Sequence, residues 1–168
     1  IQLADPGLCQ WFIEQAKAGG EAAGRDMSNF RVLSCAPVWI GDVETGVKQT
    51  SWFPAVVGNH VADIVEKYGR DTDLVPDSLT RFIETRQGAG ADEGYDYRKH
   101  AVKDSDNLYY VNNAVTESFC IVGPPEVHVE KLKQLEAAGV TQFTIYLTQG
   151  DEERLVAEYV DKVIPHFR

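Results

Sequence analysis

The sequence is poor in the residues that mark a dedicated reaction centre. Its 168 residues include four histidines and three cysteines. They form no His-x-x-x-His and no Cys-x-x-Cys pair, which argues against a metal centre. There is no Gly-x-Ser-x-Gly turn, so a serine hydrolase has no local support. Basic residues number 16 against 26 acidic ones, a formal net charge of −10. A nucleic-acid partner would call for a basic stripe that such a balance does not supply. No apolar run reaches transmembrane length, and no signal-like segment is seen ahead of the domain. The expectation is a cytoplasmic chain with no membrane partner. Cys9, Cys35 and Cys120 are odd in number, far apart and set in apolar segments, which predicts reduced core thiols and no disulfide.

What is present is an alternation of strand-like and helix-like segments. The apolar content of 43% is ordinary for a globular chain, and the length predicts a single domain over residues 1–168. Asp5 followed by Pro6 opens a helix that ends by Gly24. Phe30 to Ile40 reads as a parallel strand buried on both faces. Pro37, which cannot donate to a ladder, is expected at a bulge or near that strand's end. Val57, Val61, Ile64, Val65 and Tyr68 have helical spacing, with Pro54 starting or kinking the helix, and Pro76 opens a shorter one. Asn112 or Asn113 caps a short helix that leads into the apolar run from Phe119. After it, Val129, Leu132 and Leu135 share a helical face that Gly139 terminates. Thr141–Leu147 is β-branched and aromatic, a strand by composition. A broad stripe from Leu155 to Ile164 then gives a final helix closed by Pro165. A helix feeding a strand feeding a helix is the grammar of a parallel α/β sheet or barrel.

Three stretches resemble the C-terminal end of luciferase-like flavin or deazaflavin oxidoreductases. They are Ile121-Val122-Gly123-Pro124-Pro125-Glu126, the run from Lys131 through Val140, and Val163-Ile164-Pro165. Upstream, Gln2 to Pro6 and Gly19 to Asp26 are similar to the stretch that follows that family's Asp-Gly strand. The resemblance implies an α/β chain folded as a partial (β/α)8 TIM-type barrel made of its C-terminal strands and helices. A complete barrel of this kind needs about 250 residues, and Ile1 opens in what reads as the end of a strand. The expectation is therefore the C-terminal part of a barrel whose N-terminal half lies elsewhere. By resemblance the parent is an oxidoreductase or monooxygenase that moves hydride between a small-molecule substrate and a flavin-type ring. That ring would be deazaflavin coenzyme F-420 or FMN, with the deazaflavin branch the nearer match. In such enzymes the coenzyme carries the chemistry while the protein orients it and excludes water.

Candidate site residues follow from barrel logic, because active sites lie at the C-terminal ends of the strands. Gln2 and Gln149 could hydrogen-bond a flavin-like ring, and Trp39 could stack on it; each could equally fill the barrel's end layer. The irregular segment Gln87–Asn107 contains Tyr97 and His100, which a loop over the site could present to substrate. The plain alternative is that its tyrosines pin the loop by burying their rings. Catalytic residues are not identifiable from the sequence. Gly88 to Gly94 has the wrong spacing and context for a dinucleotide fingerprint. The Gly123-Pro124-Pro125-Glu126 turn looks self-capped, since its prolines remove two donors and Glu126 supplies its own charge to the dipole. The rival class is a non-catalytic module: a partial barrel that binds flavin or a protein partner, or only dimerises. A chain with open sheet edges is expected to be a homo-oligomer or to stay bound to the N-terminal half.

Overall fold

The fold starts from a capped helix. Asp5 accepts the Leu8 amide at 2.9 Å, and Pro6 fills the first position of α1 (Pro6–Ala22), where a missing amide is harmless. The computed structural model describes residues 1–68, 75, 77–88, 111–148 and 150–167. After α1 come β1 (Leu33–Ile40), α2 (Val43–Thr50), α3 (Trp52–Tyr68), α4 (Asp77–Gly88), α5 (Asn113–Phe119), β2 (Ile121–Gly123), α6 (Pro125–Ala137), β3 (Gln142–Tyr146) and α7 (Glu152–Glu158). Beyond Glu158 the last helix widens into a π-helical turn over Tyr159–Val163 and tightens to a 3-10 turn over Ile164–Phe167. Among the described residues, no helix is long and apolar enough to cross a membrane.

All three strands are parallel, in the order β2-β1-β3. The N-terminal residues add to the same sheet. Ile1 donates to Leu33 at 2.7 Å and accepts from Cys35 at 2.9 Å, which aligns it with Ser34 as a parallel neighbour. The segment Ile1–Leu3 thus covers the first half of one edge of β1, and β2 covers the second half. The Ala4 amide bonds to the Phe119 carbonyl at 2.8 Å and ties the two segments together. The sheet thus has β1 at its centre, with Ile1 and β2 along one edge and β3 along the other, every neighbour parallel.

Pro37 lies inside β1, not at its end or at a bulge. Cys35 donates to Ile1 and Gly41 donates to Gly123 along one edge of β1. Pro37 falls between these two bonds, where Ile1–Leu3 gives way to β2, so its missing amide leaves no acceptor unserved. The strand expected from Phe119 begins two residues later, because α5 runs through Phe119. Asn112 caps α5 by accepting the Val115 amide at 2.8 Å, and Pro54 sits in the first turn of α3. Gly139, at φ +101°, ends α6 as the spacing predicts.

The two faces of the sheet have different fates. Side chains alternate along a strand, so Ser34, Ala36, Val38 and Ile40 share one face of β1, and all four are buried. Leu3, Phe143 and Ile145 belong to this helix-covered face by register. The core on this side includes Leu8, Ile13, Leu135 and Leu155 from the flanking helices. At about 25 cal/mol per Å² of apolar surface removed from water, this packing is the main source of stability. The opposite face carries Leu33, Cys35, Pro37 and Trp39 from β1 and Gln142, Thr144 and Tyr146 from β3, in register. Leu33, Gln142 and Thr144 are exposed there. In barrel terms this second face is the lumen.

Candidate functional site at the strand ends

Four side chains meet beyond the carboxyl ends of β1 and β2. Trp39, the next-to-last residue of β1, lies half-buried against α2. A methyl group on Gly46 would come within 2.9 Å of the indole Cδ1, so the ring occupies the space that this glycine leaves. From α7, the Arg154 guanidinium lies 5.0 Å from the indole centroid, a cation–π distance. Arg154 also donates to the Ile40 carbonyl at 3.0 Å and pairs with Glu158 at 3.1 Å and with Asp151. The Trp39 ring is therefore held between a helix and a cation.

His128 of α6 is fully buried beneath this group. Its Nε2 faces the Trp39 carbonyl at 3.1 Å and the Gly123 carbonyl at 3.2 Å. Carbonyls only accept, so Nε2 carries the proton. Nδ1 must then accept from the Tyr159 hydroxyl, 2.7 Å away. Burial pushes the imidazole down to about 4, against the two carbonyl bonds that favour its charged form. Burial likewise pushes the Tyr159 phenol far up. The result is a neutral tie joining the ends of β1 and β2 to the last helix.

Gln2 and Tyr146 meet lower on the lumen face. Gln2 Nε2 is 3.5 Å from the Tyr146 hydroxyl, which also lies 3.6 Å from Cys35 Sγ. The Cys35 contact and partial burial hold the phenol above its ordinary range, so at neutral pH it is a protonated donor. Phe53 of α3 lies 5.6 Å from the Tyr146 ring. Trp52, edge-on to Phe53 at 5.6 Å, has a buried Nε1 with no hydrogen-bond partner among the described residues.

Of the candidates expected from the sequence, then, the structure puts Gln2 and Trp39 on the lumen face at different heights. Gln149, Tyr97 and His100 lie outside the described residues, as does the Gly-rich turn after Gly88. No cluster of three metal-ligating side chains occurs among the described residues. All three cysteines are free and buried. Burial pushes Cys9 and Cys120 up to about 12, which makes them unreactive core thiols.

Residues 1–142 match the luciferase-like monooxygenase family. The chain belongs to this family. A curated relative, the 5,10-methylenetetrahydromethanopterin reductase of Methanopyrus kandleri, is 26% identical over 171 residues, covering 100% of this chain and 44% of that protein. A solved structure, the coenzyme F-420-dependent tetrahydromethanopterin reductase of the same organism, superposes with a TM-score of 0.59 at 23% identity. It too is covered to 44% by the whole of this chain, a likeness at the level of the fold. The luciferase-like chain thus spans less than half the length of the relatives it matches. Its parallel sheet is part of a (β/α)8 barrel.

Sequence reasoning missed His128, Arg154 and Tyr146 in this candidate site. Arg154 could have been found from its place two residues into a helix that follows the last strand. For His128 there was no local signal, since its burial depends on three segments far apart in the chain.

Proposed function

We propose that this chain is the C-terminal part of a luciferase-like oxidoreductase that moves hydride between deazaflavin coenzyme F-420 and a small-molecule substrate, with FMN the alternative coenzyme. The observation that carries the reading is the family match over residues 1–142, joined to a relative named as a methylenetetrahydromethanopterin reductase. A reduced pterin one-carbon carrier is accordingly the first substrate to test. A cytoplasmic setting agrees with three free thiols.

The residues present fit the ring of such a coenzyme better than its charged tail. The lumen face offers neutral donors at Gln2, Thr144 and Tyr146, and a buried indole N–H at Trp52 lacks a partner among the described residues. At the strand ends, Arg154 is engaged by Asp151 and Glu158. Trp39, held between Gly46 and Arg154, supports the rim of the site more than it offers an open stacking face. When bound, the coenzyme supplies or accepts the hydride. The chain's own part is to present uncharged hydrogen-bonding groups, to fix the rim through His128 and Arg154, and to exclude water through the apolar α3 side.

The rival reading, a non-catalytic partial barrel, is favoured by the 44% coverage of the relatives. The test is turnover of reduced F-420 with methylenetetrahydromethanopterin by this chain alone and by the chain joined to the segment that completes its barrel. Turnover only after completion supports the proposal. Absence of turnover and of coenzyme binding in both forms would leave the binding module as the better account.

A further inference from the structure

Apart from Ser34, which bonds to the Leu3 carbonyl, the helix-covered face of the sheet is apolar, whereas the lumen face carries the polar side chains of Gln2, Thr144 and Tyr146. Barrel interiors of this kind are ordinarily filled by bulky branched residues. Polar groups enclosed without partners are costly, and nearly all buried ones in folded proteins are paired. Once further strands close over this face, these groups need something to bond. Their contacts among the described residues do not saturate them. There the Tyr146 hydroxyl has the long contacts to Gln2 at 3.5 Å and Cys35 at 3.6 Å, and Thr144 is exposed.

The chemistry of the set restricts the ligand. The lumen positions of β1 and β3 and the β2 position level with Trp39 carry no charged side chain. A carboxylate or phosphate would meet no counter-ion at these strand positions. An amide both donates and accepts, while the two hydroxyls donate readily to carbonyl oxygens. The Tyr146 hydroxyl reaches Gln2 and Cys35, and Thr144 is the register partner of Cys35, so the three polar side chains gather at one level of the sheet. Phe53 against the Tyr146 ring fixes the direction of the phenol.

We propose that Gln2, Thr144 and Tyr146 form a binding site for the amide edge of a neutral planar heterocycle, the run of C=O and N–H groups that pterins and deazaflavins share. The site rests on the function proposed above and says where on this chain that edge is read. Gln2 pairs with the ring amide, and the hydroxyls of Tyr146 and Thr144 donate to its carbonyls.

The test uses the 168-residue chain and nuclear magnetic resonance. Lumazine represents the pterin edge, 5-deazariboflavin the deazaflavin edge, and isoquinoline a planar ring without an amide edge. Lumazine, 5-deazariboflavin or both should shift the Gln2 side-chain amide signals, and isoquinoline should not. Tyr146→Phe should weaken that binding about tenfold, the loss of one neutral hydrogen bond at the strong end of its range, while the backbone spectrum stays native. Shifts with lumazine alone assign the edge to the substrate, and shifts with 5-deazariboflavin alone assign it to the coenzyme. Equal shifts with isoquinoline, no shift with any probe, or an unchanged affinity in folded Tyr146→Phe would overturn the site. Lumazine binding here without F-420 binding by the completed barrel would leave the site standing and sink the proposed function. F-420 turnover with no response at Gln2 would do the reverse.

Discussion

The Tyr159 hydroxyl donates to Nδ1 of His128 across 2.7 Å, and the opposite ring nitrogen donates to the carbonyls of Trp39 and Gly123. One neutral imidazole thus makes three hydrogen bonds, two of them to segments distant in sequence. Its ordinary value is 6.5 and its folded value about 4. Between those limits the unfolded chain binds more protons than the folded one, so stability rises with pH. The contribution should be complete above pH 6.5 and fall as the solution is acidified toward pH 4, by about 3 kcal/mol in all. Urea titrations across that window would show the slope in the wild type and its loss in His128→Ala. That substitution should itself cost about 2–4 kcal/mol at neutral pH, since it leaves carbonyls and a buried phenol unpaired.

Lys131 gives a second stability test. Its ammonium donates to the carbonyls of Glu117, Ser118 and Cys120 at 2.6, 2.8 and 2.7 Å, closing the end of α5 where the chain turns into β2. Lys131→Met keeps the apolar stem and removes the donors. It should destabilise by about 2–3 kcal/mol, and hydrogen exchange should speed up first in 117–123. An unchanged melting temperature would show that water replaces the ammonium at no cost.

Gly46→Ala sets helix propensity against packing. In an open helix the change gains about 1 kcal/mol. Here the new methyl group meets the Trp39 ring at 2.9 Å, and a ring held by Arg154 cannot yield cheaply. The net effect should be a loss of about 1–2 kcal/mol, with a changed tryptophan emission. A stabilised protein with unaltered emission would show that Trp39 is loosely held.

The elements that were legible in the sequence are those whose signal is local. The apolar run of β1, the Asp5-Pro6 start of α1 and the glycine that ends α6 each carry their cause within a few residues. Pro37 was misplaced because the change of strand partner at its edge is a tertiary fact. Tyr146 could not be set apart as a lumen residue, since β3 places Phe143 and Ile145 on one face and Tyr146 on the other, and composition does not say which face is covered. The widening of the last helix at Tyr159, where the phenol bonds to His128, is a tertiary feature that periodicity does not carry. Gln2 and Trp39 could be named as candidates from the sequence because barrel logic needs only strand ends, and their part in a site remains a proposal.

Association should be measurable in the chain itself. β3 is an edge strand, and beside it lies a cavity of about 410 Å³ lined in part by Leu132, Val140, Phe143, Ile145 and Val163. Val156, Val160, Ile164 and Phe167 are exposed along the last helix. An edge unpaired among the described residues, next to exposed apolar surface, recruits a partner, so light scattering should show a species larger than a monomer. A stable monomer of 18.7 kDa would contradict this expectation.

Coenzyme selectivity tests the central claim most directly. The chain should be joined to the segment that completes its barrel and titrated with F-420 and with FMN, with coenzyme fluorescence as the readout. The account predicts saturable binding of F-420 in preference to FMN by the completed barrel, and much weaker binding of either by the 168-residue chain alone. Tight binding of FMN with none of F-420, or no binding of either by the completed barrel, would contradict it.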